Sequence, residues 1–369
     1  MKKIFISAGD PSGDSHGARL MAELKSLIPD IQFIGIGGDA MCNEGLKPLV
    51  SLEQVSVVGF WEVAKKYFFF RNLIKNCARI LKDEKVDAFI AIDYPGFNIR
   101  LAEHAKQIEI PVIYYIAPQL WAWGENRAKK LADVTDLLLS VFPFEYDFFS
   151  KYGIKTEFVG HPLLDNPDIT ENFNNTERSK NLIAFLPGSR RQEIVRHMPL
   201  FNSIAELLKK EKPELEFGLS LSSTVNKEAY EPYLSEFKEW QLYDNSKSLM
   251  KKAYAGIVKT GTSTLEAALC NMPFAMVLKT SPMSYLLGKR LVKLDNISLV
   301  NILAGKKVVN EFIQSEAIPE TISNEIISLL NNHQRYEEMQ NEFSEIRKLL
   351  GEKGASKRAA ELIIKELKW

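Results

Sequence analysis

Apolar runs of strand length alternate with stretches of helical spacing along this chain, and the alternation restricts it to an α/β architecture with parallel sheets. Lys2 to Ala8 is the first such run, a helical stretch near Ser15 to Leu27 follows, and Gln32 to Gly37 is the next. Asp87 to Ile92, Pro111 to Ala117 and Asp136 to Phe142 continue the series, each after a helical stretch. These runs are apolar on both faces, as strands buried between two layers of helices are. They predict a doubly wound domain over residues 1–161. Pro162 to Ser179 breaks the pattern with two prolines and a polar run, and reads as a linker over 162–180. Asn181 to Pro187, Glu216 to Leu221, Tyr254 to Val258 and Phe274 to Leu278 restart it, predicting a second doubly wound domain over 181–350. Helical periodicity fills Ile318 to Leu350 and Ala355 to Leu367, the latter as a C-terminal helix over 351–369. A chain of 369 residues has room for two such domains. Open parallel sheets bind ligands beyond the C-terminal ends of their strands, so the two domains are expected to face a central cleft there.

Charge and cysteine content narrow the function classes. Lys plus Arg and Asp plus Glu both number 47, so net charge gives no argument for a nucleic-acid partner. Cys42, Cys77 and Cys270 are too few and too scattered for a disulfide framework or a Cys-rich metal site, and they suit a reducing cytosol. No run approaches the roughly 18 apolar residues of a spanning helix. The first apolar segment ends at Ser7 to Asp10, too short for a signal-peptide core. The expectation is a protein that is soluble or lies on a membrane without crossing it.

Residues with chemistry stand just after the strand-like runs. Between Tyr254–Val258 and the helical Thr264–Leu269, the turn Thr260-Gly261-Thr262-Ser263 aims backbone N–H groups and hydroxyls at one spot, where a diphosphate fits. Glu266, one turn on, is placed to accept from the hydroxyls of a ribose. An ordinary N-cap with a first-turn Glu explains the same residues. Gly188, Ser189 and Arg190 after the first strand of the second domain suit a phosphate-bearing ligand, and with Thr260 to Ser263 would grip a diphosphate from two sides. In the first domain, Gly9 to Asp14 is a glycine-rich turn with two carboxylates and the hydroxyl of Ser12, read either as a site or as a capped βα turn. Asp93 leaves a buried strand into Tyr94-Pro95-Gly96-Phe97-Asn98, a rigid setting for a general base; Asn98 would orient it or bind substrate, and helix capping is the alternative. Trp121 and Trp123, with Arg127 beyond, suit a sugar face or an acyl chain as well as plain packing. His16, His161 and His197 are scattered, and neither a paired-His pattern nor an Asp-x-Asp is present, so no metal is expected.

Val55 to Leu81 mixes Phe60, Trp61, Phe68, Phe69 and Phe70 with Lys65, Lys66, Arg71, Lys75 and Arg79. Rings and cations interleaved in this way suit a helix lying in an anionic membrane surface. A core-facing helix pair with a basic outer side, or a homodimer contact, explains the composition too.

Taken in order, GDPSGD, IDYPGFN, APQLWAW, FPFE, FVGHP, LPGSR, TGTSTLE and SLVNILAGKKVVNEFIQ resemble the lipid-A-disaccharide synthase family over essentially the whole chain. Three positions depart from the family pattern: Asp10 for a usual Glu, Gly124 for a basic residue, and Val300 for a Pro before Asn301. The resemblance implies a GT-B glycosyltransferase of two Rossmann-like domains, active at the inner-membrane surface of Gram-negative bacteria. It would join UDP-2,3-diacylglucosamine to 2,3-diacylglucosamine 1-phosphate (lipid X), giving β-1,6-linked lipid A disaccharide 1-phosphate and UDP without a cofactor. Carried over by position, Asp93 is the essential aspartate and Arg190 the arginine of LPGSR, both catalytic, while Asn301 and Glu311 form a polar pair on the UDP side. Gly188, Ser189, Thr260, Gly261, Thr262, Ser263 and Glu266 complete the expected UDP contacts. Asp10, Ser12, Gly13, Asp14, Asn98, Trp121, Trp123 and Arg127 form the expected acceptor side. A UDP-N-acetylglucosamine 2-epimerase and a non-catalytic nucleotide-sugar-binding protein are the competing readings.

Overall fold

The computed structural model describes residues 2–56, 66–170, 177–291 and 294–369. Two compact units divide the chain, Met1–Asp165 with Leu350–Trp369, and Asn166–Arg290 with Leu294–Leu349. In the first unit the strands are β1 (Lys3–Ala8), β2 (Gln32–Ile36), β3 (Leu46–Pro48), β4 (Ala88–Ile92), β5 (Val112–Tyr115), β6 (Leu137–Ser140) and β7 (Thr156–Phe158). They pair in parallel in the order β3-β2-β1-β4-β5-β6-β7. The second unit has β8 (Ser179–Leu186), β9 (Glu216–Ser220), β10 (Trp240–Tyr243), β11 (Ala253–Lys259), β12 (Phe274–Leu278) and β13 (Glu311–Ile313), parallel in the order β10-β9-β8-β11-β12-β13. Helices join the strands, as parallel pairing requires.

Each order reverses direction once. In the first sheet the reversal lies between β1 and β4, and in the second between β8 and β11. The segments leaving these paired strands part to opposite sides of the reversal, which opens a crevice at the strand ends. Strands beside these reversals are deeply buried: β4 throughout, β1 from Ile4 to Ala8 and β8 from Leu182 to Leu186.

The stretch expected to be a linker carries structure of its own: a 3-10 turn at Pro162–Asp165, a short helix at Pro167–Thr170, and the start of β8 at Ser179. Residues 171–176 within it lie outside the described residues. The periodicity over Ile318–Leu350 resolves into two helices, Pro319–Asn331 and His333–Leu349, because the chain leaves helical geometry at Asn332. The C-terminal helix Ala355–Leu367 belongs to the first unit, where it packs on the helix Pro11–Leu27. Asp165 fastens its start: the carboxylate accepts from the backbone N–H groups of Gly354, Ala355 and Ser356 at 2.6, 3.1 and 2.8 Å. Removing a cap of this kind costs about 2 kcal/mol. Asp165→Ala is therefore expected to lower the unfolding free energy of the first unit by that amount in urea titration, through a lower midpoint at unchanged slope, and an unchanged midpoint would remove the cap from the account of how the chain end is held.

Candidate functional site

At the reversal of the first sheet, β1 leads through Gly9 into Asp10, and β4 leads directly into Asp93. The two turns touch, since a Cβ on Gly9 would fall 2.3 Å from the ring of Tyr94. Asp10 caps the helix Pro11–Leu27, its Oδ1 accepting from Gly13 N–H at 2.7 Å. Asp93 and Tyr94 both adopt left-handed backbone, with φ of 41° and 50°. Such a pair costs on the order of 1–3 kcal/mol per residue and persists only where its surroundings hold it. Here the Asp93 carbonyl accepts from the Tyr114 hydroxyl at 2.6 Å and from Asn98 Nδ2 at 2.9 Å, while its N–H donates to Tyr115 O at 3.2 Å. The Tyr94 hydroxyl donates to Val55 O at 3.0 Å. Pro95 then opens the helix Pro95–Gln107 with its φ already set for it. Burial first, and the negative charge of Asp10 second, push the Asp93 carboxyl up to about 7, against the backbone N–H of Tyr94. The residue is only partly covered at the strand exit, and a carboxyl poised near neutrality there suits proton transfer.

The other residues expected on the acceptor side divide by what already occupies them. Asp14 is spent on the chain itself: its carboxylate accepts from Gly38, Ala40 and Met41 N–H at 2.7, 3.1 and 3.1 Å and so fixes the turn after β2. Asn98 is fully buried, with its Nδ2 directed at the carbonyls of Ser7, Ile92 and Asp93, so it orients the aspartate's backbone rather than contacting a ligand. Gly13 contributes its N–H to Asp10, and Ser12 Oγ lies 3.3 Å from His16 Nε2. Arg127 is half-buried and donates to Pro95 O at 3.3 Å, on the turn that carries Asp93. Trp121 Nε1 donates to Glu145 Oε1 at 3.1 Å. The side chain of Trp123 and all of Phe60, Trp61 and Lys65 lie outside the described residues. In the helix Tyr67–Asp83, Phe69 and Phe70 pack against the core, which removes them from an outward membrane face, whereas Tyr67 and Phe68 are 52% and 72% exposed.

At the reversal of the second sheet, the turn after β8 and the end of β11 meet through one carboxylate. Glu193 accepts from Lys259 Nζ at 2.7 Å, Arg190 Nη1 at 3.2 Å and Ser189 N–H at 3.0 Å. Burial resists its ionisation, yet Lys259, Arg190 and the Ser189 N–H outweigh it and hold its pKa below the usual value. Gly188 has φ of 117°, and a Cβ there would strike Glu193 at 2.3 Å, so the turn admits glycine alone. Gly261, with φ of 127°, precedes the helix Thr262–Leu269 and provides no side-chain cap, which leaves that helix start to backbone dipoles. Thr260 is held to Val277 O at 3.0 Å, and Thr262 and Ser263 remain partly exposed beside it. Glu266 pairs with Lys247 at 3.0 Å, so a ribose contact there shares the carboxylate with a lysine.

Asn301 and Glu311 are interlocked with the loop between them. The buried Asn301 donates to Glu311 Oε1 and Val309 O at 2.8 and 2.9 Å and accepts from Val308 and Val309 N–H at 2.8 and 2.9 Å. Glu311 also accepts from Ile297 and Ser298 N–H, each at 2.9 Å. Its amide being saturated, Asn301 shapes this loop and has no hydrogen-bonding capacity left for UDP.

A profile of the family described as lipid-A-disaccharide synthetase matches residues 4–366. The chain belongs to the lipid-A-disaccharide synthase family. A lipid-A-disaccharide synthase of Persephonella marina is 37% identical over 384 residues, covering 100% of this chain and 99% of that relative. One of Geobacter metallireducens is 36% identical over 376 residues, covering 99% and 97%. Membership makes the protein a glycosyltransferase of lipid A biosynthesis. Solved structures similar in fold include a UDP-GlcNAc 2-epimerase from Neisseria meningitidis bound to UDP-GlcNAc, with a TM-score of 0.66 at 16% identity over 99% of this chain and 100% of that one. The calicheamicin glycosyltransferase gives 0.63 at 12% identity, covering 100% and 98%. They place the synthase family chain among two-domain GT-B folds.

Several residues that build these crevices carry no signal of their own in the synthase sequence. Tyr114 sits inside a plain apolar run, Lys259 follows one, and Glu145 ends the FPFE motif without a role that its residue type alone assigns. His197 is fully buried, with Nδ1 2.7 Å from Glu193 O and Nε2 accepting from Lys279 N–H at 3.1 Å, an arrangement that requires neutral imidazole. Burial foremost lowers its pKa to about 4. Between that value and the ordinary 6.5 the unfolded chain binds the extra proton, so this contribution to stability is complete above about pH 6.5 and is lost as pH falls through about 4. His197→Gln cannot charge, and the stability difference between wild type and variant is expected to change by about 3 kcal/mol from pH 7 to pH 4. Parallel unfolding curves at both pH values would contradict a neutral, buried His197.

Proposed function

We propose that this chain transfers 2,3-diacylglucosamine from its UDP-activated form to lipid X, forming β-1,6-linked lipid A disaccharide 1-phosphate and UDP. Full-length membership in the family supports the pathway, and the carboxyl of Asp93, poised near neutrality at a strand-exit crevice, carries the chemical assignment. The reaction is read as one in-line displacement. The 6-hydroxyl oxygen of the acceptor bonds to the anomeric carbon, the bond from that carbon to the UDP oxygen breaks with inversion, and Asp93 takes the hydroxyl proton. Arg190, the N–H groups of the turn from Thr260 to Ser263 and the start of the helix Thr262–Leu269 meet the charge that grows on UDP. No metal is assigned a step in this scheme; among the described residues no group of three or more His, Cys, Asp or Glu side chains is placed to hold one.

UDP release that depends on both lipids is the test of the reaction. UDP formed from the donor alone, without disaccharide, would favour the epimerase reading. Asp93→Asn keeps the shape and removes basicity, so turnover is expected to fall by roughly two to four powers of ten, with UDP-sugar binding preserved. Turnover near that of wild type would end the assignment of Asp93 as the base.

We place the protein on the cytoplasmic face of the inner membrane, where both lipids are at hand. Among the described residues no helix is long and apolar enough to cross a bilayer. Tyr67 and Phe68 project from the start of the helix Tyr67–Asp83, and Arg71, Lys75 and Arg79 are exposed along it, the pairing of rings and cations that anionic headgroups favour. Tyr67→Ser with Phe68→Ser is expected to reduce co-sedimentation with anionic liposomes while UDP binding persists. Undiminished co-sedimentation of the folded double variant would return this face to another role.

A further inference from the structure

Glu145 is a fully buried carboxyl that none of the steps above uses. It lies in the first turn of the helix Pro143–Ser150, just after β6, where Oε2 accepts from the N–H groups of Val141 and Phe142 at 3.3 and 3.2 Å. A first-turn Glu commonly makes such bonds to its own helix start. Its other oxygen is committed elsewhere, to the indole N–H of Trp121 at 3.1 Å, on the short helix Leu120–Trp123 that follows β5. A helix cap has no need of that bond. Neither does it need full burial, which costs a carboxyl more than a cap returns. Phe144 completes the arrangement, standing edge-on to Trp121 with centroids 4.9 Å apart and stacking on Phe142 at 5.8 Å. Trp121 and Phe144 are held by these contacts, and both keep surface in solvent.

The position of this wall gives it a purpose. β5 is the direct neighbour of β4, and the Asp93 N–H is bonded to the last residue of β5. Trp121 therefore stands at the exit beside the one that delivers Asp93. We infer that Glu145 is a positioning residue, clamping Trp121 through its indole N–H so that Trp121 and Phe144 present a fixed aromatic wall against which the acceptor glucosamine ring packs. A pyranose offers a C–H face to such rings, and a wall that does not rotate holds the 6-hydroxyl at one distance from the base. The inference rests on the acceptor reading of this crevice proposed above.

Steady-state kinetics with both lipids test it, using Glu145→Ala, Glu145→Gln, Trp121→Phe and the Glu145→Ala/Trp121→Phe pair. Trp121→Phe removes the N–H and leaves the helix cap intact, so it reports on the clamp even where Glu145→Ala folds poorly. Losing this buried bond is expected to raise the acceptor KM about tenfold, with the donor KM unmoved and kcat changed far less. Glu145→Gln keeps an acceptor oxygen and should recover most of the loss. The double variant should be no worse than the more impaired single one, because both remove the same interaction. An unmoved acceptor KM in active Trp121→Phe, or additive losses in the double variant, would overturn the clamp. A wild type showing no acceptor-dependent UDP release would overturn the acceptor reading together with it.

Discussion

The left-handed turn at Asp93 and Tyr94 is the constraint on which the first unit's chemistry depends. Two consecutive non-glycine residues with positive φ do not hold that shape unaided. The Tyr114 hydroxyl and the Asn98 amide bind the carbonyl of Asp93, the ring of Tyr94 lies over Gly9, and Pro95 commits the chain to a helix immediately afterwards. Each partner is buried or pinned, so strain in the turn is offset by groups that no ligand can displace. The result is a carboxyl that the backbone delivers beside Asp10, in surroundings that disfavour a second negative charge. Proton-transfer chemistry near neutral pH follows from that placement rather than from any unusual residue.

The second unit meets the same topological situation with the opposite electrostatics. Its reversal is bridged by Glu193, whose ionised form Lys259 and Arg190 sustain in spite of burial. A buried pair of this kind adds little net stability, since desolvation consumes most of the attraction. What it supplies is position: the glycine turn after β8 and the end of β11 are locked to one carboxylate, with the dipoles of the helix Thr262–Leu269 alongside. A basic, amide-rich crevice suits a diphosphate, and an acidic one suits deprotonation of a hydroxyl.

Much of this was legible in the sequence, and the exceptions have physical reasons. The expected strands that proved right are interior ones, because burial on both faces writes a continuous apolar run. The strands without a signal are β3, β7, β10 and β13, which are the four edges of the two sheets. Edge strands are short and half in solvent, so their residues read as loop: in β3 and β7 only the first residue is buried. At the sites, residue type and position after a strand brought Asp10, Asp93, Gly188 and Gly261 into view. What the sequence does not convey is where a polar side chain spends its hydrogen bonds. Asp14, Asn98 and Asn301 look like ligand contacts and are consumed by nearby backbone, whereas Tyr114, Glu145 and Lys259 look ordinary and hold the crevices together. Asp14, Tyr114, Glu145 and Lys259 reach partners on other elements, and Asn98 and Asn301 bond within turns whose shape residue type alone does not convey.

The central claim is that the fold, through burial and through Asp10, poises the Asp93 carboxyl near neutrality. Titrating that carboxyl by carbon-detected NMR, in wild type and in Asp10→Asn, tests it most directly. The expected result is a midpoint near about 7 in wild type and a lower one once the Asp10 charge is removed. A wild-type midpoint at the ordinary aspartate value of about 4, unmoved by Asp10→Asn, would contradict the account.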